Sequence, residues 1–314
     1  MSAARLITAI VSSTVLSASS LMGIVARADA PIVVTGFSTP ESAIHDDAAD
    51  VYLVSNVNGN PAALDNNGFI SRVAPSGVIL QLSWIRGGVG GVTLNGPKGM
   101  AIRDDVLYVS DISTVRAFDR VTGAPLAAYS VPNPFTRSLF LNDVAVAPNG
   151  DVYASDNVNG AIFRIDRDGR VSLFASGPEL GFPNGLVADG ANNVSWVTWL
   201  SNQIRRMNPS GKVFVVDTIP APDVSALGLP DSALLLDGYV RLPDGSRVVS
   251  SWVTRAIYHI SPSGHTVTTV TSVVGLLQNP SAPDGPADVG LDETRDRLLI
   301  PLFNRNQLVI FPLE

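Results

Sequence analysis

From about residue 30 onward the chain is built of short runs in which apolar and polar positions alternate, with turn residues between them. Leu141-Asn142-Asp143-Val144-Ala145-Val146-Ala147 leads into Pro148-Asn149-Gly150, and Asp151-Val152-Tyr153-Ala154-Ser155-Asp156 follows. Two alternating runs about an Asn-Gly turn predict a β-hairpin. The same layout returns at Asn184-Gly185-Leu186-Val187, followed by Val194-Ser195-Trp196-Val197. It returns again at Asp237-Gly238-Tyr239-Val240, followed after Asp244-Gly245 by Arg247-Val248-Val249-Ser250-Ser251. Aligned on their first residues, six copies begin at residues 41, 98, 142, 184, 237 and 287. Each continues with a third run such as Ala161–Ile165, a turn such as Asp168-Gly169, and a fourth run such as Arg170–Phe174. Pro75-Ser76-Gly77, Pro209-Ser210-Gly211 and Pro262-Ser263-Gly264 are the equivalent turns, and no stretch after residue 30 carries a helical period.

Four strands per copy, repeated every 42 to 57 residues, predict an all-β fold: a six-bladed β-propeller of four-stranded antiparallel blades. The sixth copy stops after its third strand. Ile32-Val33-Val34-Thr35 is therefore expected to supply the missing outer strand and close the ring, which removes an exposed sheet edge. Two stretches depart from the repeat. Asn56 to Pro61 with Asp65 to Gly68 holds residues that bind cations or simply form turns. The insertion from Ala221 to Leu235 is expected to lie over one face as a lid or pocket rim.

Composition narrows the function. With 46% hydrophobic and 16% charged residues the 314-residue chain can fill a large core. A net charge of −7 excludes the basic footprint of a nucleic-acid binder, and no Lys/Arg run offers itself to an anionic membrane. Arg5, an apolar run from Leu6 to Val25 and Ala26-Arg27-Ala28 predict a secretory signal peptide over residues 1–28. That leaves residues 29–314 as one propeller domain, exported to the periplasm or the extracellular space, with no membrane span once the signal is removed. A monomer is expected. The chain has no cysteine, so its stability comes from packing rather than disulfides.

In a propeller the innermost strands line a central channel, so the six opening residues should meet at one mouth. Blade by blade they read as Glu41, Lys98, Asn142, Asn184, Asp237 and Asp288. Glu41, Asn142, Asn184 and Asp237 offer carboxylate and amide oxygens, the ligands of a hard cation such as calcium. The absence of cysteine and the presence of only His45, His259 and His265 disfavour a soft metal. Asn-Gly and Asp-Gly at a strand start also suit a bulge or a turn. Lys98 suits either an anionic group of a substrate or a wet channel into which its ammonium reaches. His45, four residues after Glu41, would share its face on a regular strand. No nucleophile elbow, phosphate loop or dinucleotide fingerprint is present, and the four tryptophans read as packing residues.

The set Pro40-Glu41-Ser42, Leu141-Asn142-Asp143, Pro183-Asn184-Gly185 and Leu236-Asp237-Gly238 resembles the senescence-marker, gluconolactonase and paraoxonase superfamily of six-bladed propellers. The likeness runs blade by blade through residues 29–314. It implies one divalent ion, calcium foremost, held by Glu41, Asn142, Asn184 and Asp237. It also implies hydrolysis of a small-molecule lactone or related ester, with Asp237 or Glu41 orienting or deprotonating the attacking water. Asn142 is expected at the substrate too, and Lys98, a departure from the family, is the further residue expected there. Asp143 resembles a position that in some members helps hold a second, buried ion, although Ser42 stands where those members carry an acid. The His pair that some members carry in the second blade is missing here. The alternative reading is a non-catalytic propeller that binds a ligand or protein and uses the ion structurally. A third is a metal-free synthase of the kind that joins an amine to an aldehyde, against which the retained oxygen set counts.

Overall fold

Five hairpin turns share one geometry. At the turn after Ala147, the Ala147 amide donates to Asp151 O and the Gly150 amide donates back to Ala147 O, both at 2.8 Å. Gly150 takes φ +92°, a left-handed conformation that glycine adopts without a side-chain clash. Gly77, Gly169, Gly211 and Gly245 repeat the arrangement with φ between +79° and +87°. This is the three-residue loop that ends in a left-handed residue and joins twisted antiparallel strands. The repeated X-Gly positions of the sequence are therefore one structural device used five times.

The computed structural model describes residues 30–189, 193–221, 228–230, 232–264, 266–272 and 285–313. Its strands form six four-stranded antiparallel sheets, one for each copy of the repeat. Blades 1 to 5 run over 40–86, 97–130, 141–176, 183–218 and 236–272, in chain order from the innermost strand outward. Blade 6 takes Gly290–Asp292, Arg297–Leu302 and Gln307–Pro312, and Ile32–Thr35 adds the outer strand. The closing pairs run from Ile32↔Ile310 to Thr35↔Gln307, as the sequence leads one to expect. Two 3-10 turns, Pro178–Leu180 and Phe303–Arg305, are the helical elements among the described residues, and no helix there is long and apolar enough to cross a membrane. The expected signal peptide, His265 and much of the 221–235 insertion lie outside the described residues.

The apolar residues pack between blades as six layers, one at each junction. Leu53, Ile70 and Ile85 of blade 1 meet Met100, Leu107 and Phe118 of blade 2. Val34, Leu308 and Ile310 meet Ala43, Tyr52 and Val54, which joins blade 6 to blade 1. Trp196 is fully buried between blades 3 and 4 and donates its indole N–H to Leu180 O at 2.7 Å. Trp84 lies beneath the Arg72 guanidinium at 4.9 Å. Both bear out the packing reading for these two tryptophans.

The two faces differ. One face carries the short turns between the first and second and between the third and fourth strands of each blade, and we call it the turn face. The other, where the innermost strands begin, carries the turns between second and third strands and the blade-to-blade connections, and it holds the channel mouth.

Candidate metal centre at the channel mouth

Every innermost strand from blade 1 to blade 5 begins with a bulge. In blade 3 the pairing runs Leu141↔Asp156 and then Val144↔Ala154, so Asn142 and Asp143 stand where a regular strand would place one residue. The same shift lies between Pro40 and Ala43, Pro97 and Met100, Pro183 and Leu186, and Leu236 and Tyr239. A bulge leaves an amide unpaired and re-aims a side chain. In three blades a serine of the neighbouring strand accepts that amide: Ser55 Oγ from Ser42 N, Ser155 Oγ from Asp143 N, and Ser250 Oγ from Gly238 N. The glycines after the ring residues serve close approach. A Cβ on Gly185 would lie 2.4 Å from Asp237 O, and one on Gly238 would lie 2.1 Å from Val289 N. The glycines thus satisfy the bulge reading, while the Asn or Asp before them is free to serve the mouth.

The register corrects the ring in blade 6. There Pro286 bridges Leu302 and Gly290 pairs with Leu299, which puts Ala287, not Asp288, level with Glu41 and Asn142. Asp288 belongs one level deeper, with Ser42, Gly99, Asp143, Gly185 and Gly238. Ser42 Oγ donates to Asp288 Oδ2 at 2.6 Å, and Asp288 N donates to Glu41 O at 2.9 Å. Asp143 accepts from Val144 N and Leu186 N. Blade 6 thus brings an acid to the level of Asp143, where blade 1 has a serine. Below this level a cavity of about 300 Å³ opens toward the turn face, lined by Ile44, Met100, Val144, Leu186 and Val289 among others.

The four expected ligands come together at the mouth. Glu41, Asn142, Asn184 and Asp237 are between 0% and 6% exposed. Asn184 Nδ2 donates to Asp237 Oδ1 at 2.9 Å, and Trp252 Nε1 donates to Asp237 Oδ2 at 2.5 Å. Glu41 Oε2, Asn142 Oδ1 and Asn184 Oδ1 are buried without any hydrogen-bond partner. A buried acceptor with no donor costs about 1–3 kcal/mol. Three of them lie on three different blades at the mouth that Asp237 shares, and carboxylate and amide oxygens are the kind a hard cation takes. Among the described residues no group of three or more His, Cys, Asp or Glu side chains is arranged for a metal. The mouth set is of another kind, two carboxylates and two amides.

The electrostatics agree. Burial pushes the Glu41 carboxyl well up, and repulsion from Asp237, Asp288 and Asp143 adds to it, against a lowering by Lys98. Burial raises Asp237 to about 6, held from rising further by its bonds from Trp252 and Asn184. Asp143 rises to about 7, chiefly by burial, and Asp288 rises well above its usual range for the same reason and through Asp143. Four buried carboxyls with raised pKa values are acids waiting for positive charge, either protons or a cation.

Lys98 does not reach into a wet channel. It is 1% exposed, donates to Pro61 O and Gly96 O at 3.1 and 3.0 Å, and lies 4.3 Å from the Phe140 ring centroid. Burial lowers its pKa to about 8, opposed by Glu41 and Asp111. Its place in the ring is as expected, and its ammonium also ties the 57–68 and 87–96 connections to the mouth. The Asn-rich stretch in blade 1 forms turns: Asn58 Nδ2 donates to Asn67 O, Asn60 Oδ1 accepts from Ala62 N, and Asn66 Oδ1 accepts from Leu94 N. His45 is not on Glu41's face, because the bulge between them reverses the alternation. It lies against Asp50 and Asp292 and packs edge-on to Tyr52.

Trp252 is the mouth residue that sequence reading missed. It was counted with the packing tryptophans. Its position one residue beyond Ser251, the strand partner of Leu236, could have shown that it stands beside the opening residue of its own blade.

No protein-family model and no curated protein sequence matches the chain. Solved structures do. The chain is similar to virginiamycin B lyase from Staphylococcus aureus at 14% identity, with TM-score 0.57 over 91% of this chain and 100% of that one. It is similar to a gluconolactonase from Xanthomonas campestris at 15% identity, with TM-score 0.60 over 90% and 89%. A luciferin-regenerating enzyme matches at 13% identity, with TM-score 0.59 over 90% and 98%. At these identities the likeness defines the fold: a six-bladed β-propeller shared with enzymes of differing chemistry. The gluconolactonase among them is of the family that the mouth motifs resemble.

Proposed function

We propose that the chain is a divalent-cation-dependent hydrolase of lactones or related esters, with calcium as the cation. The observation that carries this reading is the trio of buried, unpartnered oxygens on Glu41, Asn142 and Asn184, at the mouth that Asp237 shares. These four residues would hold the ion. When bound, it would polarise the ester carbonyl and stabilise developing negative charge, an effect worth several kcal/mol.

The chain's own groups supply the rest. Asn184 and Trp252 each hold one oxygen of Asp237, so the carboxylate is fixed in orientation before a substrate arrives. Asp237 or Glu41 accepts a proton from the attacking water as its oxygen bonds to the acyl carbon. The acyl–oxygen bond of the ring then breaks, and the departing oxygen takes the proton back. Lys98 places positive charge beside Glu41, which favours the ionised form of that carboxyl. Asn142, whose Oδ1 is buried without a partner, is the amide that would meet either ion or substrate.

The test is a panel of lactones and aryl esters assayed in calcium and in EDTA, with Asp237→Ala beside the wild type. Turnover that needs the cation and falls at least ~10³-fold in Asp237→Ala, with the circular dichroism of the blades retained, is the expected result. Cation-dependent stabilisation with no turnover of any substrate would instead leave a non-catalytic binding propeller.

A further inference from the structure

The mouth is not equivalent on its two sides. In each blade one residue follows the second-strand partner of the bulge: Val57, Ile112, Asn157, Trp199, Trp252 and Phe303. By register these six stand at one level around the channel, one strand out from the ring. Val57, Ile112 and Asn157 of blades 1 to 3 are buried, whereas Trp199, Trp252 and Phe303 of blades 4 to 6 stay partly exposed. Two of the aromatics are tied to the centre itself. The Trp252 indole N–H is bonded to Asp237, and the Phe303 ring meets the Trp252 ring edge-on at 5.9 Å. Gly285 lets the chain pass against this indole, since a Cβ there would lie 2.6 Å from Trp252 Cα. The ring position between them is Ala287, which has no reach toward the mouth. On the opposite side the ring carries Glu41, Lys98 and Asn142.

We infer that Trp252 and Phe303, with the gap left by Ala287, form an apolar wall beside the reacting carbonyl, so that the substrate is a lactone or ester bearing an alkyl or aryl substituent rather than a polyhydroxylated sugar lactone. Partly exposed aromatic rings are apolar area held ready for burial, and a small-molecule site typically sets such a surface against a few fixed polar groups. Here Asp237 and its ring partners are the polar groups, and the wall begins at the residue bonded to Asp237. The inference rests on the hydrolase reading for its substrate class, but the wall can be measured without turnover.

The experiment is calorimetric titration, in calcium, with five-membered lactams that the protein does not hydrolyse: unsubstituted, butyl, octyl and polyhydroxylated. The expected result is affinity that rises along the alkyl series, with the octyl lactam bound ~30-fold more tightly than the unsubstituted one. That is the gain from burying two to three methylenes at roughly fourfold each. In Phe303→Ala this preference should shrink at least fivefold, and Phe303→Leu should keep most of it. Equal affinities along the series, or tighter binding of the polyhydroxylated lactam, would overturn the wall. The wild-type series decides the point even where a variant fails to fold. Octyl-lactam binding with no turnover of the matching lactone would keep the wall and overturn the hydrolase reading. Turnover of short and octyl lactones with equal kcat/KM, together with flat lactam affinities, would do the reverse.

Discussion

The two faces of the propeller are made by the same repeat and end in opposite ways. On the turn face, carboxylates near the strand ends are paired with guanidinium groups: Asp46 meets Arg120, Asp151 meets Arg164 and Asp189 meets Arg206, although Asp46 Oδ2 and Arg206 Nε are still without a hydrogen bond. The mouth face, where the innermost strands of blades 1 to 5 begin with bulges, leaves Glu41, Asn142 and Asn184 with buried oxygens that have no hydrogen-bond partner. It also gathers carboxyls whose pKa values burial has raised. The difference is one of charge: the turn-face carboxylates have guanidinium partners, whereas the open acceptors at the mouth are a cost to the fold that the proposed cation would remove.

The largest effect that separates the faces should be pH. The carboxyls of Asp237 and Asp143 rise from their ordinary range near 3.8 to about 6 and about 7. A raised folded pKa means that the native state binds the proton more tightly than the unfolded chain does. The stability this contributes is fully present below pH ~4 and is lost as pH climbs through about 6 and 7. In EDTA the melting temperature should therefore fall across the window from pH 5 to pH 7.5, by several degrees for a domain of this size. In calcium the fall should be much smaller, because the cation takes the place of the protons. Equal slopes with and without calcium would mean that the mouth carboxyls do not meet the ion.

A smaller effect should appear on the turn face. Gly150→Ala places a β-carbon on a residue at φ +92°, about 3.0 Å from the Arg167 side chain. It should destabilise the protein by about 1–2 kcal/mol in denaturant titration. The same variant should leave the calcium response and any lactone turnover unchanged. A turn-face substitution that weakened calcium binding would break the separation of the two faces.

Much of this was legible in the sequence because propeller repeats are local. The turn glycines, the alternation within strands and the spacing of the copies each depend on a few adjacent residues, so blade number and ring closure by Ile32–Thr35 could be read directly. Glu41, Asn142, Asn184 and Asp237 were legible because they share one phase of the repeat. The ring position of blade 6 was misplaced by one residue, since Ala287-Asp288 offers an acid close to the expected place and only the pairing of Pro286 with Leu302 fixes the register. Lys98 and His45 were misjudged for a related reason. What they touch is set by the Pro61 and Gly96 carbonyls and by Asp50 and Asp292, which no periodicity of the neighbouring residues encodes.

The most direct measurement is thermal unfolding of the wild type and Asn142→Ala in EDTA and in calcium. Asn142 Oδ1 has no partner in the fold, so its removal should leave the calcium-free midpoint unchanged or raise it. Calcium at ~100 times its dissociation constant should stabilise the wild type by roughly 2.7 kcal/mol, a shift of several degrees, and the shift should largely disappear in the variant. A calcium shift of equal size in both proteins, or none in either, would contradict a cation held at the channel mouth.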